Sequence, residues 1–318
     1  MKLLKLIIFH LIIFGLPLAI VGVGIYKAVY SEALTRYKDR VDSLASIQKA
    51  RVEEIVDDYE RELDLLTSRR QFRLTVQGYI DSKTQENLIQ FNRVLQDMQY
   101  AGSYAHVSVV GTNGVVLAST RKDSIGQDVS AQSYFIDAKE KNVVHYLSKD
   151  YAGEVYANLA GPLVLDNRTL GVLVAERNAK DLYKIFRDHI GLGLSGEWGM
   201  ATHAPNGDAL IIVPGRFDTN PRAALESALP QGAVDAPLTH ALRGHEGVWD
   251  TTVDYRGSAV IAATRYIPEV DWGIGVKVNK SEVLEPLVRL RQLLLACAII
   301  LFAACVITSM YSMRVLKK

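Results

Sequence analysis

The stretch YAHVSVVGTNGVVLAS, residues 104–119, contains the clearest folding signal in the chain. Apolar and polar side chains alternate over residues 104–110, and this period of two predicts a β-strand with one buried face. Gly111-Thr112-Asn113-Gly114 then supplies an Asn-Gly turn, and the apolar run 115–119 returns beside the first strand. These sixteen residues are therefore predicted to form a β-hairpin.

The same pattern occurs a second time, where Gly199–Ala204 and Ala209–Pro214 flank an Asn206-Gly207-Asp208 turn. A short helix is predicted over Ala179–His189, and the Pro/Ala-rich stretch Pro221–Leu242 is predicted to be helical. Each region has further apolar runs that predict strands, namely Val143–Ser148, Val155–Leu165 and Leu170–Glu176 in the first, and Gly247–Asp254, Ser258–Tyr266 and Trp272–Val278 in the second. The chain therefore contains two successive modules that mix helices and strands.

A long amphipathic helix is predicted before the first module. Apolar residues recur at steps of three and four over residues 30–69, with charged residues on the other faces. A second helix follows near Thr84–Gln99. The narrow apolar stripe of the long helix fits a coiled-coil seam, and so a parallel homodimer, or it fits packing along a neighbouring module of the same chain.

Two uncharged apolar runs flank these elements, one near each end of the chain. Leu6–Tyr26 and Gln292–Met313 contain no Asp, Glu, Lys or Arg. A helix of about 20 residues crosses the hydrocarbon core of a bilayer. The sequence therefore predicts two membrane helices with the modules between them on one side. A cleaved signal peptide is the alternative for the first run, which is longer than the usual apolar segment of about 7–15 residues.

Positive charges next to the two runs predict the orientation. Lys2 and Lys5 precede the first run, and Arg314, Lys317 and Lys318 follow the second. Because positive flanks tend to stay cytoplasmic, both termini are expected inside and the modules outside. The formal net charge of +1 gives no case for nucleic acid, and the two cysteines, Cys297 and Cys305, lie in the second apolar run. The outer domain must therefore be held together by its apolar core.

This order of elements resembles the double Cache (dCache_1) sensor domain of bacterial receptors, in which two PAS-like modules follow one another outside the membrane. The resemblance covers about residues 31–290 and rests on these segments: Gly114-Val115-Val116-Leu117-Ala118-Ser119-Thr120, Ile125-Gly126-Gln127-Asp128-Val129-Ser130, Ser133-Tyr134-Phe135, Gly161-Pro162-Leu163, Gly171-Val172-Leu173-Val174, Gly196-Glu197-Trp198-Gly199, Ala263-Thr264-Arg265-Tyr266-Ile267 and Trp272-Gly273-Ile274-Gly275-Val276.

The resemblance implies an α+β fold with a long N-terminal helix, two tandem PAS-like modules with antiparallel sheets, and two flanking transmembrane helices. The expected divisions are a cytoplasmic end at 1–5, a membrane helix at 6–29, a sensor domain at 30–290, a membrane helix at 291–313 and a cytoplasmic stub at 314–318. Within the sensor domain we expect helices at 30–99, a membrane-distal module at 100–190, a membrane-proximal module at 191–278 and an exit helix at 279–290.

Members of this family bind small molecules in the distal module, where aromatic walls and a few polar groups orient the ligand. The resemblance predicts these ligand-binding residues: Gln132, Tyr134, Phe135, Tyr146, Lys149, Tyr156, Glu176 and Asn178, with Tyr151 as a further aromatic candidate. The amino-acid-binding branch has an Arg at the position of Gln132 and an acid at that of Glu176. A neutral amide cannot form the charged fork that Arg makes with a carboxylate. We therefore expect Glu176 to bind a cationic or hydroxylated ligand, whereas Lys149 and Arg177 would suit an anion.

The resemblance implies that the chain is the ligand-sensing input portion of a transmembrane receptor in the bacterial inner membrane. A sensor histidine kinase of a two-component system is the expected receptor. A diguanylate cyclase, a chemoreceptor and a stand-alone envelope binding protein are the alternatives. No hydrolase, zinc-protease or nucleotide-binding motif occurs, so no catalysis, cofactor or metal is expected. The five-residue spacing of His240 and His245 suits a shared metal poorly.

Overall fold

The structure is a computed structural model that describes residues 2–150, 152–204, 206–218, 224–225, 228–229 and 236–315. Its helices are α1 (Lys2–His10), α2 (Leu16–Ser68), α3 (Arg70–Ser82), α4 (Gln85–Gly102), α5 (Ser133–Ala138), α6 (Lys180–Arg187), α7 (Pro237–Leu242) and α8 (Lys280–Val315). Its strands are β1 (His106–Gly111), β2 (Val116–Ser119), β3 (Val143–Lys149), β4 (Val155–Leu165), β5 (Arg168–Asn178), β6 (Glu197–His203), β7 (Ala209–Val213), β8 (Ala228–Leu229), β9 (Gly247–Val253), β10 (Ala259–Ile267) and β11 (Trp272–Asn279).

The N-terminal helix is continuous from the first apolar run to Ser68, with one wider turn inside it. A π-helical turn at Leu11–Gly15 joins α1 to α2 directly before Pro17. Proline has no N–H to donate and its ring crowds the carbonyl one turn earlier, which explains a local change of winding there. Two helical segments, Leu4–Ser68 and Lys280–Val315, are long and apolar enough to cross a membrane.

The apolar stripe of α2 packs against both modules of its own chain. Its buried apolar residues join one core with residues of both sheets, and they are Val41, Ala45, Val52, Val56, Tyr59, Leu63 and Leu66. Polar contacts fasten the same helix to each module: Arg177 pairs with Glu62 at 2.6 Å, and Arg265 pairs with Asp42 at 2.7 Å. Of the two interpretations of the stripe, intramolecular packing is the one that the structure shows.

The connection to the first module contains one helix more than the sequence predicted. The long helix ends at Ser68, because Arg69 has an extended backbone, and α3 begins directly after it. The predicted second helix corresponds to α4, whose N-terminus is capped by the Thr84 hydroxyl, which accepts a hydrogen bond from Asn87 N at 3.3 Å. Phe72 of α3 and Phe91 of α4 pack with their ring centroids 6.4 Å apart.

The first module is built on a five-stranded antiparallel sheet with the order β2-β1-β5-β4-β3. The predicted hairpin is confirmed, because Ser108 pairs with Ser119 and Val110 pairs with Val116. Asp166 and Asn167 both have positive φ and join β4 to β5. Two such residues form the tight turn that suits the twist of an antiparallel hairpin.

The second module is built on a six-stranded antiparallel sheet with the order β8-β7-β6-β11-β10-β9. The expectation of one helix over Pro221–Leu242 is wrong at Ala228–Leu229, which pair with β7 as a strand. In the described part of that stretch, the helix is limited to α7. Residues 219–223, 226–227 and 230–235 lie outside the described residues.

The last helix, α8, begins directly after β11 and includes the whole second apolar run. It therefore joins the second sheet to a candidate membrane span through one helix, which has Pro286 in its second turn. Near the other end of the span, the His10 ring Nδ1 lies 3.1 Å from the Ser309 hydroxyl. The α+β architecture of long helix, two antiparallel sheets and two flanking helices is thus confirmed.

Candidate functional site

The two faces of the first sheet have different surroundings. In a strand, successive side chains point to opposite faces, and directly paired residues on neighbouring strands share a face. Leu173 and Ala175 belong to the core that includes α2, whereas Val172 and Val174 belong to a separate cluster with Phe135. This second face is covered by the loop and helix that follow β2, and we call it the distal site face.

The loop that crosses the edge of the distal site face is fixed by backbone hydrogen bonds to β2 and the preceding turn. Val116 N donates to Gln127 O at 3.0 Å, and Val129 N donates to Gly114 O at 2.8 Å. Gly114 has φ +84°, and a Cβ there would overlap Ser130. This close approach of two backbones requires glycine and places α5 over the sheet.

One half of the distal site face is apolar. Phe135 of α5 is buried with Ala138 against Val143 and Ala160. The Lys139 ammonium lies 4.8 Å from the centroid of the Phe135 ring. These four residues pack against one another beneath α5, and none of them has a hydrogen-bonding side chain.

The other half of the distal site face contains an ion pair and a histidine. Arg121, two residues after β2, bonds to the Glu176 carboxylate at 2.8 Å. His106 pairs directly with Glu176 across β1 and β5. Its ring Nδ1 is buried without a hydrogen-bond partner among the described residues. Burial and the nearby Arg121 charge lower the pKa of His106, so the neutral ring is favoured at neutral pH.

Tyrosine hydroxyls and an amide continue this polar half. Tyr146 donates to Asp137 Oδ2 at 2.5 Å, and Asn158 Nδ2 donates to the Tyr146 carbonyl at 3.3 Å. Burial and the bond to Asp137 raise the pKa of Tyr146 to about 12. Burial and the Glu176 charge raise the pKa of Tyr134. These tyrosines are therefore neutral hydrogen-bonding groups at neutral pH.

The outer end of the same face lies beside the loop between β3 and β4. Tyr156 donates to Asp150 Oδ2 at 3.1 Å, and Asn178 donates to Glu154 Oε2 at 3.1 Å. Because Tyr156 and Asn178 are paired across β4 and β5, both side chains lie on the distal site face.

The structure brings most of the predicted site residues together but separates two of them. Phe135, Tyr134, Tyr146, Tyr156, Glu176 and Asn178 lie on or over the distal site face. Gln132 precedes α5 with an exposed side chain. Lys149 lies on the opposite face of β3, where its ammonium donates to the Ala224 carbonyl at 3.1 Å. Tyr151 lies outside the described residues.

Sequence reasoning missed His106 and Arg121 in the polar half. It included Asp137 and Asn158 only within the segments expected to line the pocket, Asp128–Ala138 and Val155–Ala160, and named neither as a ligand-binding residue. The alternation over residues 104–110 placed His106 in a strand, but it did not show which face of the sheet the ring would occupy. Arg121 and Asp137 lie outside the strands, and no local pattern links them to Glu176 or Tyr146. Arg177, the proposed anion ligand, lies on the opposite face and pairs with Glu62.

A comparison with protein-family models identifies the family to which the chain belongs. The Cache domain model in its double form, dCache_1, matches residues 26–287, which is well over half of the chain. The chain belongs to the Cache domain family. It is accordingly a Cache sensor domain, the class of extracytoplasmic ligand-binding domains found in histidine kinases and chemoreceptors. No match is found among the curated protein sequences.

Solved structures of the same fold include sensor domains from two kinds of receptor. The sensor domain of the Vibrio cholerae histidine kinase DctB is 15% identical, with a TM-score of 0.55 over 79% of this chain and 98% of that chain. The ligand-binding domain of the Pseudomonas aeruginosa amino acid chemoreceptor PctC, in complex with GABA, is 14% identical, with a TM-score of 0.52 over 76% and 100%. That of the Campylobacter jejuni chemoreceptor Tlp3, with 4-methylisoleucine, is 13% identical, with a TM-score of 0.51 over 80% and 94%.

Proposed function

We propose that this Cache domain is the ligand-sensing input portion of a bacterial inner-membrane receptor and that its output is a sensor histidine kinase. Its small-molecule ligand binds on the distal site face. A diguanylate cyclase or a chemotaxis signalling domain is an alternative output for the same input. The two candidate spans and the fold support a two-pass topology with both termini cytoplasmic. A stand-alone binding protein is less favoured, because α8 continues from the second sheet into the candidate span without a break.

The observation that carries the ligand proposal is the division of the distal site face. Glu176, Arg121 and Tyr146 supply charged and neutral hydrogen-bonding groups beside the buried apolar cluster that contains Phe135 and Val172. Ligand sites in proteins commonly combine a few polar groups, which orient the ligand, with apolar side chains around them. We infer a cationic or hydroxylated ligand whose polar end replaces Arg121 as a partner of Glu176.

The proposed signal passes through the two helices that continue into the candidate spans. A ligand shifts an equilibrium only if it binds the two states differently. A small displacement of α8 would cross the bilayer as a rigid element. A parallel homodimer remains part of the proposal, but its contact must use surfaces other than the buried stripe of α2.

The test is a thermal-shift screen of the full chain in detergent micelles against amino acids, amines, organic acids, sugars and nucleobases. A ligand at a hundredfold excess over its Kd stabilises the fold by about 2.7 kcal/mol. We expect Glu176→Gln to weaken binding about tenfold, because it removes one charge-assisted hydrogen bond, and so to reduce that stabilisation to about 1.4 kcal/mol.

The matched control for this screen is Glu140→Gln, which changes an exposed carboxylate of the same module. It is expected to leave the stabilisation unchanged. A hit that is equally strong in Glu176→Gln, Asn158→Ala and Tyr134→Phe would contradict the distal assignment.

A further inference from the structure

A groove of about 1060 Å³ runs between the two candidate membrane spans. Its lining residues on the first span extend from Ile8 to Lys27. At about 1.5 Å per residue they cover about 28 Å, which is nearly the full hydrocarbon core of a bilayer. The groove is also at the upper end of the range for ligand pockets, roughly 300–1000 Å³. Its length and volume therefore suit a ligand with long apolar chains.

Small residues on both spans create this groove. Gly15, Ala19 and Gly22 recur at steps of four and three, which places them on one face of the first span. A Cβ on Gly22 would lie 3.4 Å from Leu294 Cδ2, so α2 and α8 approach each other closely there. Ala298 lines the groove from α8. The groove therefore exists because residues with little or no side chain face it from two helices.

Two cations lie at the end of the groove that is nearer the modules. Lys27 of α2 and Arg291 of α8 both line the groove, and both side chains are exposed. Neither has an ion-pair partner among the described residues, and no Asp or Glu in that part of the chain lines the groove. Tyr26 lies beside them, as is typical of aromatic residues at the level of lipid headgroups. This end of the groove therefore has an uncompensated positive charge.

The positive charge is specific to these two positions. Arg289, two residues earlier in α8, pairs with Glu285 at 2.8 Å and does not line the groove. At the other end of the groove, near Ile8 and Phe302, the described lining residues carry no charge. Cations near a bilayer usually extend singly toward water. Here two of them come from different helices and border the same apolar groove at the same end.

We propose that this groove binds one anionic phospholipid. The phosphate of its headgroup lies between Lys27 and Arg291, because a guanidinium matches a phosphate with two parallel hydrogen bonds and an ammonium adds a point charge. The acyl chains lie along the small residues of the groove. The headgroup thus joins the two helices that carry the proposed signal. This inference rests on the proposed two-pass topology and is independent of ligand binding at the distal site face.

The test compares dioleoyl phosphatidylglycerol with dioleoyl phosphatidylcholine, which have the same chains and differ in net charge. Native mass spectrometry counts the lipids that bind to the full chain in detergent micelles at low ionic strength. We expect the first phosphatidylglycerol to bind at least about tenfold more tightly, because two cations contribute. Glycerol phosphate, which has the phosphate without the chains, is expected not to bind at the same concentration. Equal binding of the two lipids, or glycerol phosphate binding as tightly as phosphatidylglycerol, overturns the proposal.

Four variants locate the bound lipid. Lys27→Gln and Arg291→Gln are each expected to weaken phosphatidylglycerol binding about fivefold. Ala298→Phe, which fills the groove, is expected to abolish it. Arg289→Gln is the matched control, because it removes a cation of the same helix that does not line the groove, and binding is expected to stay unchanged. Equal losses in Arg289→Gln and Arg291→Gln would indicate a general attraction to the basic end of the helix and overturn the proposal.

Alkaline carbonate extraction of membranes that contain the chain tests the topology separately. We expect the chain to stay in the membrane pellet, because two apolar spans hold it in the bilayer. Release from the membrane would overturn the two-pass topology and this proposal together. Retention with equal binding of the two lipids would overturn this proposal alone.

Discussion

Replacement of Lys277 by methionine, Lys277→Met, is expected to lower the free energy of unfolding by about 3 kcal/mol, because it removes one of the two cations that two buried carboxylates share and leaves them only Arg256. The side chains of Glu197 and Asp254 are 2% and 0% exposed, so water cannot replace the lost ammonium group. The measurement is denaturant unfolding of the full chain in micelles, followed by tryptophan fluorescence. Trp198, Trp249 and Trp272 all lie in the second module and are the only tryptophans in the sequence.

Two controls separate the loss of a buried ion pair from the loss of any positive charge. Arg289→Met removes the partner of Glu285 in an exposed pair of α8, the helix that directly follows the second sheet, and it is expected to cost less than about 1 kcal/mol. Adding Asp254→Asn to Lys277→Met neutralises one of the two carboxylates and is expected to recover part of the loss. A loss below about 1 kcal/mol in Lys277→Met would contradict the burial argument.

The loss of stability in Lys277→Met is also expected to depend on pH, in a direction that follows from the pKa of Asp254. Burial alone would raise the pKa of Asp254, but bonds from Lys277, Ser258 and Arg256 outweigh it and hold that pKa below its ordinary value of 3.8. The wild-type contribution is therefore present above that value and is lost as the pH falls through the lowered pKa. In Lys277→Met the pKa of Asp254 rises, because its main partner is gone. The deficit of the variant should consequently shrink as the pH is lowered.

The fold was predictable because local signals agree with the tertiary structure at most elements. The Asn113-Gly114 turn joins strands that pair as expected, and the predicted strands Val155–Leu165 and Leu170–Glu176 pair across the Asp166-Asn167 turn. The long helix ends near residue 69 as predicted, but the sharp turn there into α3 was not predicted, because no glycine or proline marks it. It depends on tertiary contacts instead: Arg73 donates to the carbonyls of Ser68 at 2.7 Å and of Val164 at 2.6 Å.

In the second module, amino-acid composition led to a wrong prediction of secondary structure. The alanines of Pro221–Leu242 favour a helix intrinsically, but Ala228–Leu229 pair with the exposed edge of β7. Intrinsic propensity is a weak preference that pairing with a neighbouring strand overrides. The buried cluster of Glu197, Asp254 and Lys277 was not predicted either, because its members come from three separate segments and no local pattern relates them.

The residues that α5 and β5 place on the distal site face were predictable, but the register of β1 against β5 was not. Tyr134, Phe135 and Glu176 could be placed from the family pattern. The face on which the His106 ring lies could not be predicted without the register of β1 against β5, since a shift of one residue would move the ring to the other face. The separation of Lys149 from Tyr146 could have been foreseen. Residues three positions apart in a strand point to opposite faces, so both could not line one site.

The second large effect is expected at the contact between the linker that joins the modules and the first turn of α8. Glu282 of α8 accepts hydrogen bonds from Leu194 N at 2.9 Å and Ser195 N at 2.8 Å, and another from the Ser195 hydroxyl. Gly193 has φ +72°, and a Cβ there would lie 2.2 Å from Glu282 Oε1. The linker thus follows the distal module and binds the exit helix through one carboxylate.

We expect Glu282→Ala to remove about 2 kcal/mol of local stability, because charge-assisted hydrogen bonds are lost and two backbone N–H groups lose their acceptor. This corresponds to about 30-fold faster hydrogen exchange at the Leu194 and Ser195 amides. The measurement is hydrogen exchange of the full chain in micelles. Glu285→Ala is the matched control, since Glu285 lies one turn further along and bonds only to the exposed Arg289 among the contacts described.

The charge of Glu282 also fixes the direction of the pH effect. Burial would raise its pKa, but the bonds from Ser195 and Leu194 outweigh this and hold the pKa below the ordinary 4.5. Linker protection in the wild-type chain is therefore complete above that pH and is lost as the pH falls through the lowered pKa, whereas Glu282→Ala should show no such loss. Unchanged exchange in Glu282→Ala would mean that other contacts hold the linker, such as the hydrogen bond that the Ser195 hydroxyl accepts from Asn279 N at 3.0 Å. A signal that passes from the first module to α8 would then not depend on the Glu282 carboxylate.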